Sequence, residues 1–260
     1  MDDRYACDVD VGDGTRLAIV LAALTVLLCT AEWADPEDLD RGPHDSTERR
    51  RHLLWMGVYV VLAPPIGLLA AHLVTRAEAG TPLDGVGDLP VGVRFALAVA
   101  TGELAAYWMH RAMHTSGWLW RFHAVHHRAS DVRWWTAFRF HPVELALAFV
   151  VPYTAAALVG GGRGVVQAYA IVVAVVTLLA HADVHVPGRW LSRVVATPGF
   201  HRSHHEADRA DTNFALVLPA LDVLFGSARF DVRLPRRFGL RSPSDDRQPD
   251  RERHEVGHAG

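Results

Sequence analysis

Five blocks of this chain run nearly a membrane's thickness with almost no charge, and that segregation limits its fold more than any other feature. They lie near residues 17–33, 53–74, 91–109, 143–159 and 165–180. A helix needs about 20 predominantly apolar residues to cross the hydrocarbon layer, where every backbone polar group must be satisfied within the segment. The pattern predicts an all-α, polytopic membrane protein with four or five membrane helices. The last two blocks form a pair around Gly160-Gly161-Gly162-Arg163-Gly164, a tight reversal. The second carries Pro64-Pro65, a kink that membrane helices tolerate. Arg94 and Glu103 interrupt the third, and either it or the first block can lie at the interface instead of spanning. No small-residue cleavage pattern follows the first block, which reads as an anchor and not a signal peptide. A soluble helical bundle is the competing reading, and the paired blocks around the reversal are too long and apolar to suit it.

Half of the residues are apolar while the charged fraction is an ordinary 21%, so the charge must collect between the blocks and in the tail. The net charge of -3 provides no basic field for nucleic acid. Cys7 and Cys29 are the only cysteines, and Cys29 sits inside an apolar block, which argues against a disulfide framework or a thiolate metal site. Residues 1–16 form an acidic N-terminal segment, 17–230 one membrane-embedded domain, and 231–260 a polar tail expected to be disordered. Arg49, Arg50 and Arg51 precede the second block, which places that loop in the cytoplasm by the positive-inside rule. Parity of crossings then returns Arg111 to His141, and everything after Ala180, to the same side.

Sixteen histidines are present, and ten of them fall in four clusters. His110 and His114 form HRAMH, and His123, His126 and His127 form HAVHH. His181 and His185 form HADVH, and His201, His204 and His205 form HRSHH. At this frequency an H-x-x-x-H pair arises by chance roughly once per chain, whereas two H-x-x-H-H triplets arise in about one chain of several hundred. The triplets carry the argument. Positions three and four apart share a helix face, so each cluster can project its imidazoles toward one point. The helix of the third block should continue through His114, and that of the fifth through His185. Ten neutral nitrogens suit two metal ions at about five each, leaving roughly one open position on each six-coordinate ion. His44, His254 and His258 lie in polar segments, and His52 and His72 at the two ends of an apolar block, so these read as solvated or interfacial.

The order of these motifs resembles the fatty acid hydroxylase and sterol desaturase superfamily over roughly residues 48 to 231. The resemblance runs through Tyr107-Trp108-x-His110-Arg111-x-x-His114 and Leu119-Trp120-Arg121-Phe122-His123-x-x-His126-His127. It continues through Arg139-x-His141-Pro142-x-Glu144, the His181 and His185 pair, and Thr197-Pro198 before the second triplet. Asp211-x-Asn213-Phe214 and Asp222-x-x-Phe225-Gly226 close it. Departures are Glu103 for a usual Asp, Ala215 for Gly and Leu221 for Trp; none removes a histidine. The resemblance implies a cytosolic di-iron site that activates O2 at a lipid C–H bond, hydroxylating or desaturating a sterol, fatty acyl chain, carotenoid or ether lipid. Electrons would come from a separate ferredoxin- or cytochrome-type protein.

No side chain can abstract hydrogen from an unactivated alkyl carbon, so such a reaction belongs to the cofactor. The protein holds the metals, aims the substrate and excludes water. Neutral ligands leave the metal charge uncompensated, which calls for supporting carboxylates nearby. Glu103, Asp183 and Asp211, with Asn213, are the main candidates, and Glu206, Asp208 and Asp222 extend the set. His141, alone before Pro142, reads as structural or supporting. Trp134, Trp135, Phe138 and Phe140 read first as an interfacial aromatic belt, with a lipid entry as the alternative. A histidine-rich metal transporter or a zinc hydrolase at the membrane face are the other classes. The first should place histidines at mid-bilayer; the second needs only about three ligands.

Overall fold

The computed structural model describes residues 11–34, 46–80, 85–160, 162–186, 190–207, 211–230 and 238–240. It is helical, with no strand among the described residues; Glu206 and Phe238 form an isolated antiparallel bridge, and Val184 is also a bridge residue. The helices are α1 (Val11–Ala34), α2 (Ser46–Gly80), α3 (Val91–Thr115), α4 (Gly117–His127), α5 (Pro142–Gly160), α6 (Arg163–His181), α7 (Pro198–His204) and α8 (Ala220–Leu224). Short 3-10 turns cover Val86–Asp88, Trp134–Phe138 and Leu191–Arg193.

Three of these helices are long and apolar enough to cross a membrane: Thr47–Arg76, Pro142–Val159 and Arg163–His181. Among the described residues, length and composition thus do not confirm the expected four or five crossings. Arg94, Glu103 and the histidines dilute α3, and in α1 the described apolar stretch is only Ala23–Ala34. The chain remains an integral membrane protein. Leu53, Val61, Leu68 and other large apolar residues of α2 are exposed, as expected of surface that faces lipid and not water. Pro64 and Pro65 fall inside α2, which continues through both.

Helix α3 is the centre of the bundle, packed on α5, α4 and α6, while α2 packs on α5. Its small residues permit this. A Cβ on Gly102 would sit 2.5 Å from the ring of Tyr169 in α6, so the ring lies directly on the α3 backbone. Ser116 breaks α3 from α4, and its side chain accepts from Leu119 N at the start of α4. Thr197 caps α7 in the same way, with Pro198 in the first turn, where a missing N–H costs nothing. Both histidine triplets thus ride on short, capped helices at one end of the bundle.

The expectations for His185 and His52 need correction. Helix α6 stops at His181, because Ala182 turns to extended backbone with ψ 145°, so His185 is not one helical turn further on. The expected acidic segment and tail mostly lie outside the described residues, but Phe238 in that tail is buried against Ala129 and Val132. His52 is also buried and not interfacial, close to Glu48 and edge-on to Trp135.

Candidate metal centre

Nine of the ten clustered histidines converge, in two groups. His110, His114, His123, His127 and His204 form one, and His126, His181, His201 and His205 the other. Within each, one ring nitrogen per residue lies within 4.8 Å of the rest, and all nine side chains are buried. Neither triplet stays together. His126 leaves His123 and His127, and His204 leaves His201 and His205. The helix explains the split: residues four apart are offset by about 40° around the axis, whereas adjacent residues are about 100° apart. The pairs His110/His114, His123/His127 and His201/His205 therefore remain on one side, and the third member of each triplet reaches the other group. His185 is exposed and stands outside both groups.

The outer ring nitrogens are fixed by acceptors. Nδ1–H of His110 donates to the carbonyl of Phe214 (2.7 Å), that of His181 to Thr177 (2.8 Å), that of His204 to Thr212 (2.6 Å) and that of His126 to Arg139 (3.2 Å). His123 Nδ1–H donates to the Glu144 carboxylate at 2.6 Å. With the proton held at Nδ1, each neutral ring turns a bare Nε2 lone pair inward. His110 and His123 then face each other at 3.0 Å, and His126 and His181 at 3.2 Å, with no proton left to bridge either pair. Two lone pairs at that separation repel unless a cation lies between them. Ligands at right angles, each about 2.1 Å from a metal ion, stand about 3.0 Å apart, so the spacing fits adjacent positions on one ion. The Nε2 atoms of His114 and His204 are buried with no hydrogen-bond partner, as unfilled metal ligands would be.

Supporting residues hold these rings from behind. Asp222 accepts from Phe214 N, Ala215 N and Ser227 Oγ at 2.7–2.8 Å, which sets the carbonyl that meets His110. Asn213 takes left-handed φ (60°), and its amide donates to Phe200 O, Ser203 Oγ and Arg229 O, tying α7 to the following segment. Asp183 pairs with Arg202 at 2.7 Å, both fully buried. Glu103 touches no histidine of the groups; it accepts from Tyr169 Oη and Val217 N, both at 2.9 Å. Asp211 and Glu206 are half-buried, and Asp208 lies outside the described residues. His141 is likewise outside both groups: its Nδ1 accepts from Val143 N at the start of α5, and its ring meets Phe122.

Glu144 is the carboxylate that the sequence reading quoted within a motif yet left out of the supporting set. It lies 21 residues from His123, a separation with no periodic signal, and only its place in the His141-Pro142-x-Glu144 motif pointed to it. Arg139 was missed too. It donates to Val125 O and pairs with Glu48 on α2, so its carbonyl is presented squarely to His126.

Burial keeps the imidazoles neutral. His123, His127, His201, His204 and His205 all have pKa values well below 6.5, chiefly because burial disfavours the charged ring and secondarily because neighbouring imidazoles would repel it. In the unfolded chain the same rings take up protons near pH 6.5. Folding stability is thus full above that value and falls as pH drops toward the depressed folded values. Proton competition for bound metal should begin lower than the pH of about 6 that a free imidazole implies. Metal content followed from pH 7.5 to 4.5 checks this; half-loss already at about 6.5 would contradict it.

One cavity of about 360 Å³ meets both groups, touching His110 and His123 of the first and His126, His181 and His201 of the second. The rest of its wall is mostly apolar, from Met113, Phe138, Phe140, Phe149, Val173 and Leu178 among others. Phe138 and Phe140 therefore face the cavity instead of forming an interfacial belt, and Phe138 packs against Tyr59 with ring centroids 5.0 Å apart. Trp134 is buried in a small core with Leu28, Ala137 and Leu178.

A bundle of membrane helices carrying nine buried, inward-facing imidazoles at one end defines a class: membrane proteins with a histidine-lined metal centre. Residues 95–227 match the fatty acid hydroxylase family model, and the chain belongs to that family. An ornithine lipid hydroxylase of Rhizobium tropici is 29% identical over 140 residues, covering 53% of this chain and 42% of its own length. A Delta(7)-sterol 5(6)-desaturase of Gibberella zeae is 26% identical over 125 residues, 48% of this chain and 39% of its own. A very-long-chain aldehyde decarbonylase of Oryza sativa subsp. indica is 29% identical over 137 residues, 48% of this chain and 22% of its own. The chain thus spans less than half the length of these relatives. No solved structure matches it.

Proposed function

We propose that this chain is a membrane-bound di-iron oxidoreductase that hydroxylates or desaturates a lipid, using O2 and electrons from a separate donor protein. The observation that carries the reading is the junction of the two histidine groups with one end of an apolar cavity. Family membership and the lipid-acting relatives support it. A pair of iron ions, when bound, supplies the O2 chemistry that breaks an alkyl C–H bond, which no side chain can do. His110, His114, His123, His127 and His204 would hold one ion, and His126, His181, His201 and His205 the other.

The protein's own part is positional. The carbonyls of Phe214, Thr177, Thr212 and Arg139, with Glu144, lock five rings in the tautomer that ligates. The apolar wall of the cavity keeps water from the end where the substrate carbon would sit. A transporter would need a polar path through the bilayer, whereas these groups sit at helix ends and continue into an apolar pocket.

Purified protein should contain close to two iron ions per chain, with a visible absorption bleached by dithionite and restored by air. One zinc per chain and no iron would end the oxidoreductase reading. The histidine groups and C-terminus are placed on the cytoplasmic side, following the arginines around them. Single cysteines at Arg128 and Gly162, at opposite ends of the bundle, should then label from opposite sides of sealed vesicles. Labelling of both from one side would overturn that orientation.

A further inference from the structure

The two histidine groups are held from behind by different parts of the chain. In the first, His110 bonds Phe214 O, which Asp222 sets through Phe214 N, and His123 bonds Glu144. Glu144, Phe214 and Asp222 all fall within residues 95–227, the part that matches the family. The second group leans on two buried glutamates that fall outside it, Glu32 near the end of α1 and Glu48 near the start of α2.

Glu32 sets the turn that ends α6. Its Oε1 accepts from Asp183 N at 2.8 Å and from Trp134 N at 3.0 Å. In a continuing helix Asp183 N would bond Leu179 O, four residues back. Ala182 N takes that carbonyl instead (3.0 Å), and Glu32 receives the buried N–H that the helix gives up. His181 is thereby the last residue of α6, with Nδ1–H on Thr177 O and Nε2 3.2 Å from that of His126 and 3.1 Å from that of His201. The same turn aims the Asp183 carboxylate at Arg202 (2.7 Å), the residue next to His201 in α7. A carboxylate on α1 thus reaches His181 through the end of α6, and His201 through the Asp183–Arg202 pair.

Glu48 supports His126. Its Oε1 accepts from Ser130 N at 3.3 Å and pairs with the Arg139 guanidinium. Arg139 Nε donates to Val125 O at 2.8 Å, so the guanidinium is held at two points and the Arg139 carbonyl stays on His126 Nδ1. Residues 130–139 are therefore pinned at Ser130, Trp134 and Arg139 by the two glutamates.

We propose that Glu32 and Glu48 are positioning residues for the second histidine group alone, so that α1 and α2, outside the matched region, complete one of the two metal sites. The inference rests on the two-metal reading. Both residues act through main-chain amides and the Asp183–Arg202 and Arg139 links, not as ligands.

The probe is cobalt(II), standing in for iron, titrated into the metal-free full chain in detergent and followed by the visible bands of histidine-bound cobalt. The parent should take up two ions. Glu32→Ala should weaken the ion of the second group by about ten- to a hundredfold, the scale for loss of a supporting partner, and leave that of the first unchanged. Made in a His126→Ala chain, which keeps the first group, it should change nothing further; in a His204→Ala chain it should weaken the ion that remains. Glu32→Gln should stay close to the parent, because both amides need only an acceptor oxygen and Arg133 keeps Asp131 at 2.9 Å. Should Glu32→Ala fail to fold, Glu48→Ala and the milder Glu32→Asp, charged but one methylene short of both amides, carry the same comparison. An unchanged second ion in the folded variants, or equal weakening of both ions, would overturn the proposal. A parent chain that takes up only one ion overturns the two-metal reading itself.

Discussion

Replacing His204 or His126 by Ala is expected to strip iron from its group and lower turnover by at least ten- to a hundredfold, the scale seen even when only a supporting partner is lost. The two residues sample different groups. His204 is fully buried, has its Nδ1 proton fixed on Thr212, and its Nε2 has no other partner. His126 is fixed on Arg139 and faces His181. His185→Ala separates the structural reading from one based on spacing: exposed and outside both groups, it should keep full iron and turnover. Iron by mass spectrometry and turnover with a reconstituted reductant are the measurements. Full iron and activity in His126→Ala would defeat the two-group site.

Arg202→Ala should destabilise the protein by about 3–5 kcal/mol, because it leaves the carboxylate of Asp183 charged and fully buried beneath the second triplet. The guanidinium also lies 5.2 Å from the Phe238 ring centroid, so the substitution removes a packing contact from the tail. Pairing Arg202→Met with Asp183→Leu removes both charges and should recover much of the loss, since a buried ion pair is often matched by apolar residues of similar size. Denaturant unfolding of the metal-loaded protein in detergent measures both. A single variant within about 0.5 kcal/mol of the parent would mean that water reaches Asp183 and that the pair is not sealed.

The sequence failed in particular places for identifiable reasons. Helical spacing carried His181 forward to His185, but Ala182 leaves the helix, and periodicity alone cannot see where a helix stops. The aromatic run of Trp134 to Phe140 has the composition of an interfacial belt, yet the 3-10 turn at Trp134–Phe138 faces two of its rings into the cavity. Glu103 was taken as a supporting carboxylate, standing where the family resembled usually has Asp. It holds Tyr169 and Val217 instead, since two turns along α3 is too far from the histidine end.

By itself the sequence determined the helical membrane architecture, because lipid leaves an apolar block of this length few other ways to satisfy its backbone. It also determined which residues are the ligand candidates, since the i, i+4 spacing brings His110 with His114 and His123 with His127 whatever the rest of the chain does. Only the tertiary structure decided which imidazoles share a group, that Glu144 backs His123 from another helix, and which side chains line the cavity beside them. Those three facts depend on the separation and rotation of helices packed against each other. These are set by side-chain volumes at every contact, such as the missing methyl at Gly102, and no local spacing encodes them.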